Sequence, residues 1–207
     1  MTRLVLASAS PARRGVLQQA GVDPLVIVSD VDEDAIITAN PDVAPERIVT
    51  LLAVAKAEDS ISRLPADVAA DCVVVGCDSM LAIDGEIHGK PGTVDIARAR
   101  WRSMAGRSGI LHTGHAVVRV QDGVTTQHHA QSAATTVDFA APSTEELDAY
   151  LNTGEPLSVA GGFTLDGLGG WFVDGIQGDP SNVIGISLPL LRRLLLDAGI
   201  AISDLWR

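Results

Sequence analysis

The alternation of apolar and polar positions divides the chain into short strands and amphipathic helices. Leu4–Ala7 reads as a short buried strand. A helix is expected over Pro11–Ala20, with Ser10 as N-cap, Pro11 in the first helical position and Gly21 closing it. Leu25–Ser29 reads as a second strand, leading into the acidic stretch Asp30, Asp32, Glu33 and Asp34, which could supply Mg²⁺ ligands but more commonly marks a solvated loop. Ile48, Leu51, Leu52 and Ala55 recur on one face of a helix over Pro45–Arg63. The run Cys72–Cys77 is almost continuously apolar and marks a central strand. Met80–Ile83 and Glu86–His88 flank Asp84-Gly85 as a small hairpin.

A further helix is expected over Val94–Met104, ending near Gly106. Leu111–Gln121 and Val124–Ala140 flank Asp122-Gly123, a dipeptide suited to the tight turn of a long hairpin. Ser143 and Glu146 have capping-box spacing and open a helix to about Asn152. Beyond the glycine-rich stretch Gly161–Gly170, Trp171–Ile176 and Val183–Ile186 read as strands and Leu188–Asp197 as the closing helix. Early alternation of strand and helix with an antiparallel excursion predicts an α/β fold. Its mixed, twisted central sheet would be flanked by helices rather than being all-parallel. No repeat or linker interrupts the sequence, so residues 1–207 are expected to form a single domain.

Composition narrows the function classes. A net charge of −11 argues against nucleic-acid binding, which needs a basic face. No run approaches the roughly 18 apolar residues of a membrane span, and the apolar start is too short for a signal peptide. A cytoplasmic protein without a membrane partner is therefore expected. Aromatics are only 3%, which predicts a core of Val, Ile, Leu and Ala. Cys72 and Cys77 would lie roughly 16 Å apart on one strand, too far for a disulfide, and read as reduced core thiols.

An acidic chain that binds a polyphosphate must gather its few cations, recruit Mg²⁺, or do both. Of 15 basic residues only Lys56 and Lys90 are lysines. Such scarcity suggests positions where a compact point charge is needed, the alternative being two lysines that survived a composition bias. Lys56 sits in an otherwise apolar helix, from which it either snorkels out or reaches into a cleft. Lys90 lies in Gly-Lys-Pro, which lacks the spacing and hydroxyl of a phosphate loop.

Ser8, Ser10, Arg13 and Arg14 gather at a strand-to-helix junction. Free backbone N–H groups and the helix dipole favour an anion there. Asp78 directly follows the central strand and is read as lying at a sheet end, as metal ligand, general base or loop cap. His112 and His115, three apart in a strand, point to opposite faces and do not suggest zinc.

In order, LASASPARR at 6–14, DVDE ending at Glu33, Lys56-Ala57, GCDS at 76–79 and GKP at 89–91 resemble the Maf family of nucleotide pyrophosphatases. TGH at 113–115, Glu155-Pro156 and the glycine-rich stretch 160–189 continue the resemblance over essentially the full length. It implies two lobes with a central cleft, kinship with inosine-triphosphate pyrophosphatases, and a homodimer. It also implies hydrolysis of a nucleoside triphosphate to monophosphate and pyrophosphate with Mg²⁺ or Mn²⁺.

By the same resemblance, Ser8, Ser10, Arg13, Arg14, Lys56 and Lys90 would hold substrate phosphates. Glu33 and Asp78 would lie near the metal, with Asp78 the proton acceptor. Ala12, Ser79 and Asp166 depart from the family pattern at positions tied to substrate choice, which leaves the preferred base open. The alternative reading is a nucleotide-binding regulator of cell division that does not cleave its ligand.

Overall fold

The computed structural model describes residues 2–206. Its elements in chain order are β1 (Arg3–Leu6), α1 (Pro11–Gln19), β2 (Leu25–Val26), α2 (Glu33–Thr38), α3 (Pro45–Ile61), α4 (Ala66–Ala69), β3 (Asp71–Ile83) and β4 (Glu86–His88). There follow α5 (Val94–Met104), β5 (Ser108–Gln121), β6 (Val124–Phe139), α6 (Thr144–Asn152), β7 (Val173–Gln177), α7 (Pro180–Ile184) and α8 (Leu188–Asp197). Short 3₁₀ turns intervene between α6 and β7. The fold is mixed α/β, with seven strands in the order β2-β1-β3-β5-β6-β7 and β4 paired to β3.

The chain forms two compact units. The first holds the chain up to Asp78, Thr113–Ala133 and everything from Gly185; the second holds Ser79–His112 and Ala134–Ile184.

In the first unit β1 runs parallel to both neighbours, with Val5 opposite Leu25 on one side and Val74 on the other. Helix α3 packs directly on the strands because two glycines leave room for its backbone. A Cβ on Gly76 would meet the Ala53 carbonyl oxygen at 2.1 Å, and one on Gly114 would meet that of Val49 at 2.1 Å. Strand alternation puts Cys72, Val74, Gly76 and Asp78 on the same face of β3. Cys72 and Val74 join Ala53, Ala57, Ala116 and Val118 in the core there. Both cysteines are free and buried, as expected.

Gly76→Ala is therefore expected to cost about 3 kcal/mol, the upper range for overpacking, because the clash is with backbone. The melting temperature should fall by roughly 6–12 °C. Gly15→Ala in α1, with open space around the new methyl, should be neutral or stabilising in the same thermal scan.

The second unit departs from the aliphatic core expected from composition. Trp101 on α5 is fully buried and donates from Nε1 to the Gly162 carbonyl at 2.8 Å. Phe139, Tyr150 and Phe172 meet it edge-on, with ring centroids 5.8–6.0 Å apart. The few aromatics are concentrated in this unit's core with Leu81, Leu111 and Leu151.

Helices α1, α5, α6 and α8 and the Asp122-Gly123 turn follow the sequence reading, and Ser143–Glu146 forms the capping box. Five readings are corrected. Val183–Ile186 is not a strand, since Val183 and Ile184 end α7. Asp179 accepts from the Ser181 N–H at 2.9 Å and Pro180 takes the first position, a helix start that outweighs β-branched propensity. The acidic stretch is not all loop: Asp32 accepts from the Ala35 N–H at 2.9 Å and caps α2, with Glu33 in its first turn. The second strand ends at Val26 rather than Ser29, and 168–172 form a 3₁₀ turn before β7. Strand β3 continues through Asp78 to Ile83, so Asp78 lies within a strand, not at its end.

Candidate active site

The first unit brings together most of the residues singled out in the sequence. Strand β1 last pairs with β3 at Leu6 opposite Val75, then turns into α1, while β3 runs on past that pairing to Ile83. Asp78 thus stands past the carboxyl end of β1, where parallel strands present ligand sites. It faces α3 across the gap that Gly76 creates, two residues from that glycine's contact with Ala53 and Ala57.

Lys56, next to Ala57, reaches inward instead of snorkelling out. Its Nζ lies 2.6 Å from Asp78 Oδ1 and 2.8 Å from Glu33 Oε1. Lys56 and Asp78 are both buried, while Glu33 is partly exposed. Burial raises the Asp78 carboxyl above its ordinary value, against the lowering effect of Lys56 and Arg13 nearby. One ammonium therefore holds two carboxylates, one of them with increased proton affinity.

Around the start of α1, Ser10 caps the helix by accepting from the Arg13 N–H at 3.3 Å. Ser8 Oγ accepts from the Ser10 N–H at 3.2 Å and from Arg13 Nη1 at 3.0 Å. Arg13 is buried and also donates to the Cys77 and Gly185 carbonyls, at 2.9 and 2.8 Å. Arg14 is exposed and lines an open cavity of about 370 Å³ with Ser8, Ser10 and Gln18. A helix N-terminus, two hydroxyls and a solvent-accessible guanidinium make this cavity suited to a phosphate group. Ala12 is half-buried in the same first turn.

Lys90, Ser79 and Asp166 belong to the second unit. Lys90 is exposed, in a loop whose Gly89 carbonyl accepts from the Gly161 N–H at 3.1 Å. Asp166 is exposed at the tip of a tightly held loop. The Glu155 carboxylate holds that loop, accepting from Thr164 Oγ1 at 2.5 Å, the Gly169 N–H at 3.0 Å and the Leu168 N–H at 3.1 Å. Partial burial alone would raise the Glu155 carboxyl, but these bonds and one from Tyr150 hold it below its usual value. The sequence assigned Glu155 no role; Gly167, where a Cβ would meet the Glu155 carboxylate, was the available signal.

His115, buried on β5, accepts the Ser187 N–H on Nε2 at 2.8 Å and has Nδ1 3.0 Å from the Thr113 carbonyl. That fixes its tautomer and gives it a structural task at the start of α8. Among the described residues no three His, Cys, Asp or Glu side chains converge as a metal cage.

A family model described as Maf-like protein matches residues 3–198. The chain is 64% identical to a nucleoside triphosphate pyrophosphatase of Rhodococcus erythropolis, covering 100% of this chain and 98% of that one. It is 63% identical to a nucleoside triphosphate pyrophosphatase of Nocardia farcinica, covering 99% and 96%. The solved Staphylococcus aureus Ham1 protein is similar over 67% of this chain and 72% of that chain, with 14% identity and a TM-score of 0.41.

Proposed function

The chain belongs to the Maf family, and from that premise we propose that it hydrolyses nucleoside triphosphates to monophosphate and pyrophosphate. The observation that carries this reading is the buried Asp78–Lys56 pair, joined at its rim by Glu33, in the same unit as the anion-suited start of α1. The names of its close relatives support the same activity.

In this reading Asp78 is the general base that takes a proton from the water attacking the α-phosphorus. Its raised proton affinity brings it closer to the value useful near neutral pH. Ser8, Arg14 and the α1 N-terminus hold phosphate oxygens, and Lys56 offsets negative charge beside the base. Lys90 is assigned phosphate binding from the sequence. Asp166 can only accept hydrogen bonds when ionised, so it would favour a base presenting donors, such as the guanine edge.

Glu33 and Asp78 fit Mg²⁺ or Mn²⁺, ions commonly held by one or two carboxylates with substrate phosphates and water completing the shell. When bound, such an ion would supply charge neutralisation at the phosphates.

A panel of nucleoside triphosphates, assayed separately for pyrophosphate and orthophosphate, tests the reading. Monophosphate and pyrophosphate are expected, with chelation by EDTA abolishing turnover. Diphosphate and orthophosphate as products would overturn it.

A further inference from the structure

We propose that Arg13 is a positioning residue, which configures Ser8 as a hydrogen-bond donor to a phosphate oxygen and fixes the backbone beside Asp78. The inference rests on the reading of Asp78 as the base and deepens it. Arg13 could have been a simple phosphate ligand like Arg14, but its guanidinium is turned inward. Nη1 is shared between Ser8 Oγ at 3.0 Å and the Cys77 carbonyl at 2.9 Å, and Nε is held by the Gly185 carbonyl at 2.8 Å. All three contacts are buried.

The consequence for Ser8 follows from hydroxyl chemistry. A serine hydroxyl has one proton to donate and two lone pairs to accept with. The Ser10 N–H and Arg13 Nη1 occupy both acceptor positions. What Ser8 can still offer is its O–H, for which no acceptor appears among the described residues. A group that only accepts satisfies it, and a phosphate oxygen is such a group. A group that must donate, such as an amine or amide N–H, finds no lone pair there.

The consequence for Asp78 follows from peptide planarity. The Cys77 carbonyl lies in the same rigid plane as the Asp78 amide. Where β1 has turned away, Arg13 supplies the hydrogen bond that a neighbouring strand would have given. It thereby fixes the orientation of the peptide that carries the base. The planar guanidinium serves these carbonyl and hydroxyl oxygens from fixed directions; a lysine ammonium at the end of a flexible stem cannot reproduce that fork.

Kinetics and NMR together test the assignment. Arg13→Lys should lower kcat by roughly 10- to 100-fold while KM changes by less than about threefold, as for a misplaced catalytic group. Ser8→Ala combined with Arg13→Lys should lose little more than the worse single variant, because Arg13 acts partly through Ser8.

In the unmodified protein, the Arg13 Nε–H resonance should exchange slowly before any ligand is added. It should shift little with pyrophosphate or a non-hydrolysable α,β-imido nucleotide. Two results would overturn the proposal: KM rising tenfold with kcat retained, or an Nε–H that exchanges freely until pyrophosphate is added. Additive losses in the double variant would also count against it. The NMR measurement decides even if Arg13→Lys does not fold. Products other than pyrophosphate from the unmodified enzyme would indict the hydrolase reading and leave the Arg13 result to stand or fall on its spectrum.

Discussion

Asp78→Asn is expected to lower kcat at least about 100-fold, keep or improve nucleotide affinity, and raise the melting temperature. The loss of rate follows from removing the base, since a positioned proton acceptor is worth about 10²–10⁴ in rate. The gain in affinity follows from removing a negative charge that would face phosphates. The gain in stability follows from burial. Desolvation pushes the Asp78 carboxyl up more strongly than Lys56 and Arg13 pull it down. With its native pKa above the unfolded one, the folded state holds the extra proton. Stability therefore falls as pH rises through that window, and above it the ionised carboxylate opposes folding. Asparagine has no charge to desolvate, and Lys56 keeps Glu33 as its ion-pair partner. Steady-state kinetics, nucleotide titration and a thermal scan at neutral pH measure the three effects; activity within threefold of the parent enzyme would remove Asp78 from the role of base.

That this cluster could be suspected before any coordinates has a physical reason. Lysine in the apolar run Leu51–Ala57 contradicts its surroundings, and such local contradictions collect at functional sites. Gly76 and Asp78, two apart on β3, necessarily share a face. What the sequence could not show is which element that face meets. The contact of Gly76 with Ala53 and Ala57 is a tertiary event, and it brings the α3 backbone beside β3, where Lys56 meets Asp78. The same limit explains the elements that were misjudged. Asp78 was taken as a strand end because a charge follows an apolar run, yet β3 continues to Ile83. Propensity does not register that an ion pair can satisfy a charge inside a strand. Val183 and Ile184 suggested a strand by their β-branching alone, whereas the turn at Asp179 and Pro180 starts a helix there. Arg13 was expected to meet an anion at the start of α1, and nothing in the sequence announces its bonds to the carbonyls of Cys77 and Gly185.

Lys56→Met should reduce activity at least about 100-fold and, in contrast to Asp78→Asn, destabilise the fold. Lys56 is the common partner of Asp78 and Glu33, so its removal leaves a buried carboxylate without its ion pair. Breaking a buried pair from one side costs about 3–5 kcal/mol, or a fall in melting temperature of roughly 10 °C for a chain of this size. Lys56→Arg keeps the charge but spreads it over a wide, planar group. One Nζ lies within 2.8 Å of both carboxylates, a point-charge geometry that arginine cannot copy, so at least a tenfold loss in kcat/KM is expected. Arg63→Lys, at an exposed position two residues beyond the end of the same helix, should be silent. The double variant Asp78→Asn with Lys56→Met separates the two causes of instability. If the orphaned charge of Asp78 is responsible, removing it should restore much of the stability lost in Lys56→Met while activity stays low. If the double variant is as unstable as Lys56→Met alone, the lysine stabilises by packing its stem against α3 and β3, and the charge cluster is not what its burial serves.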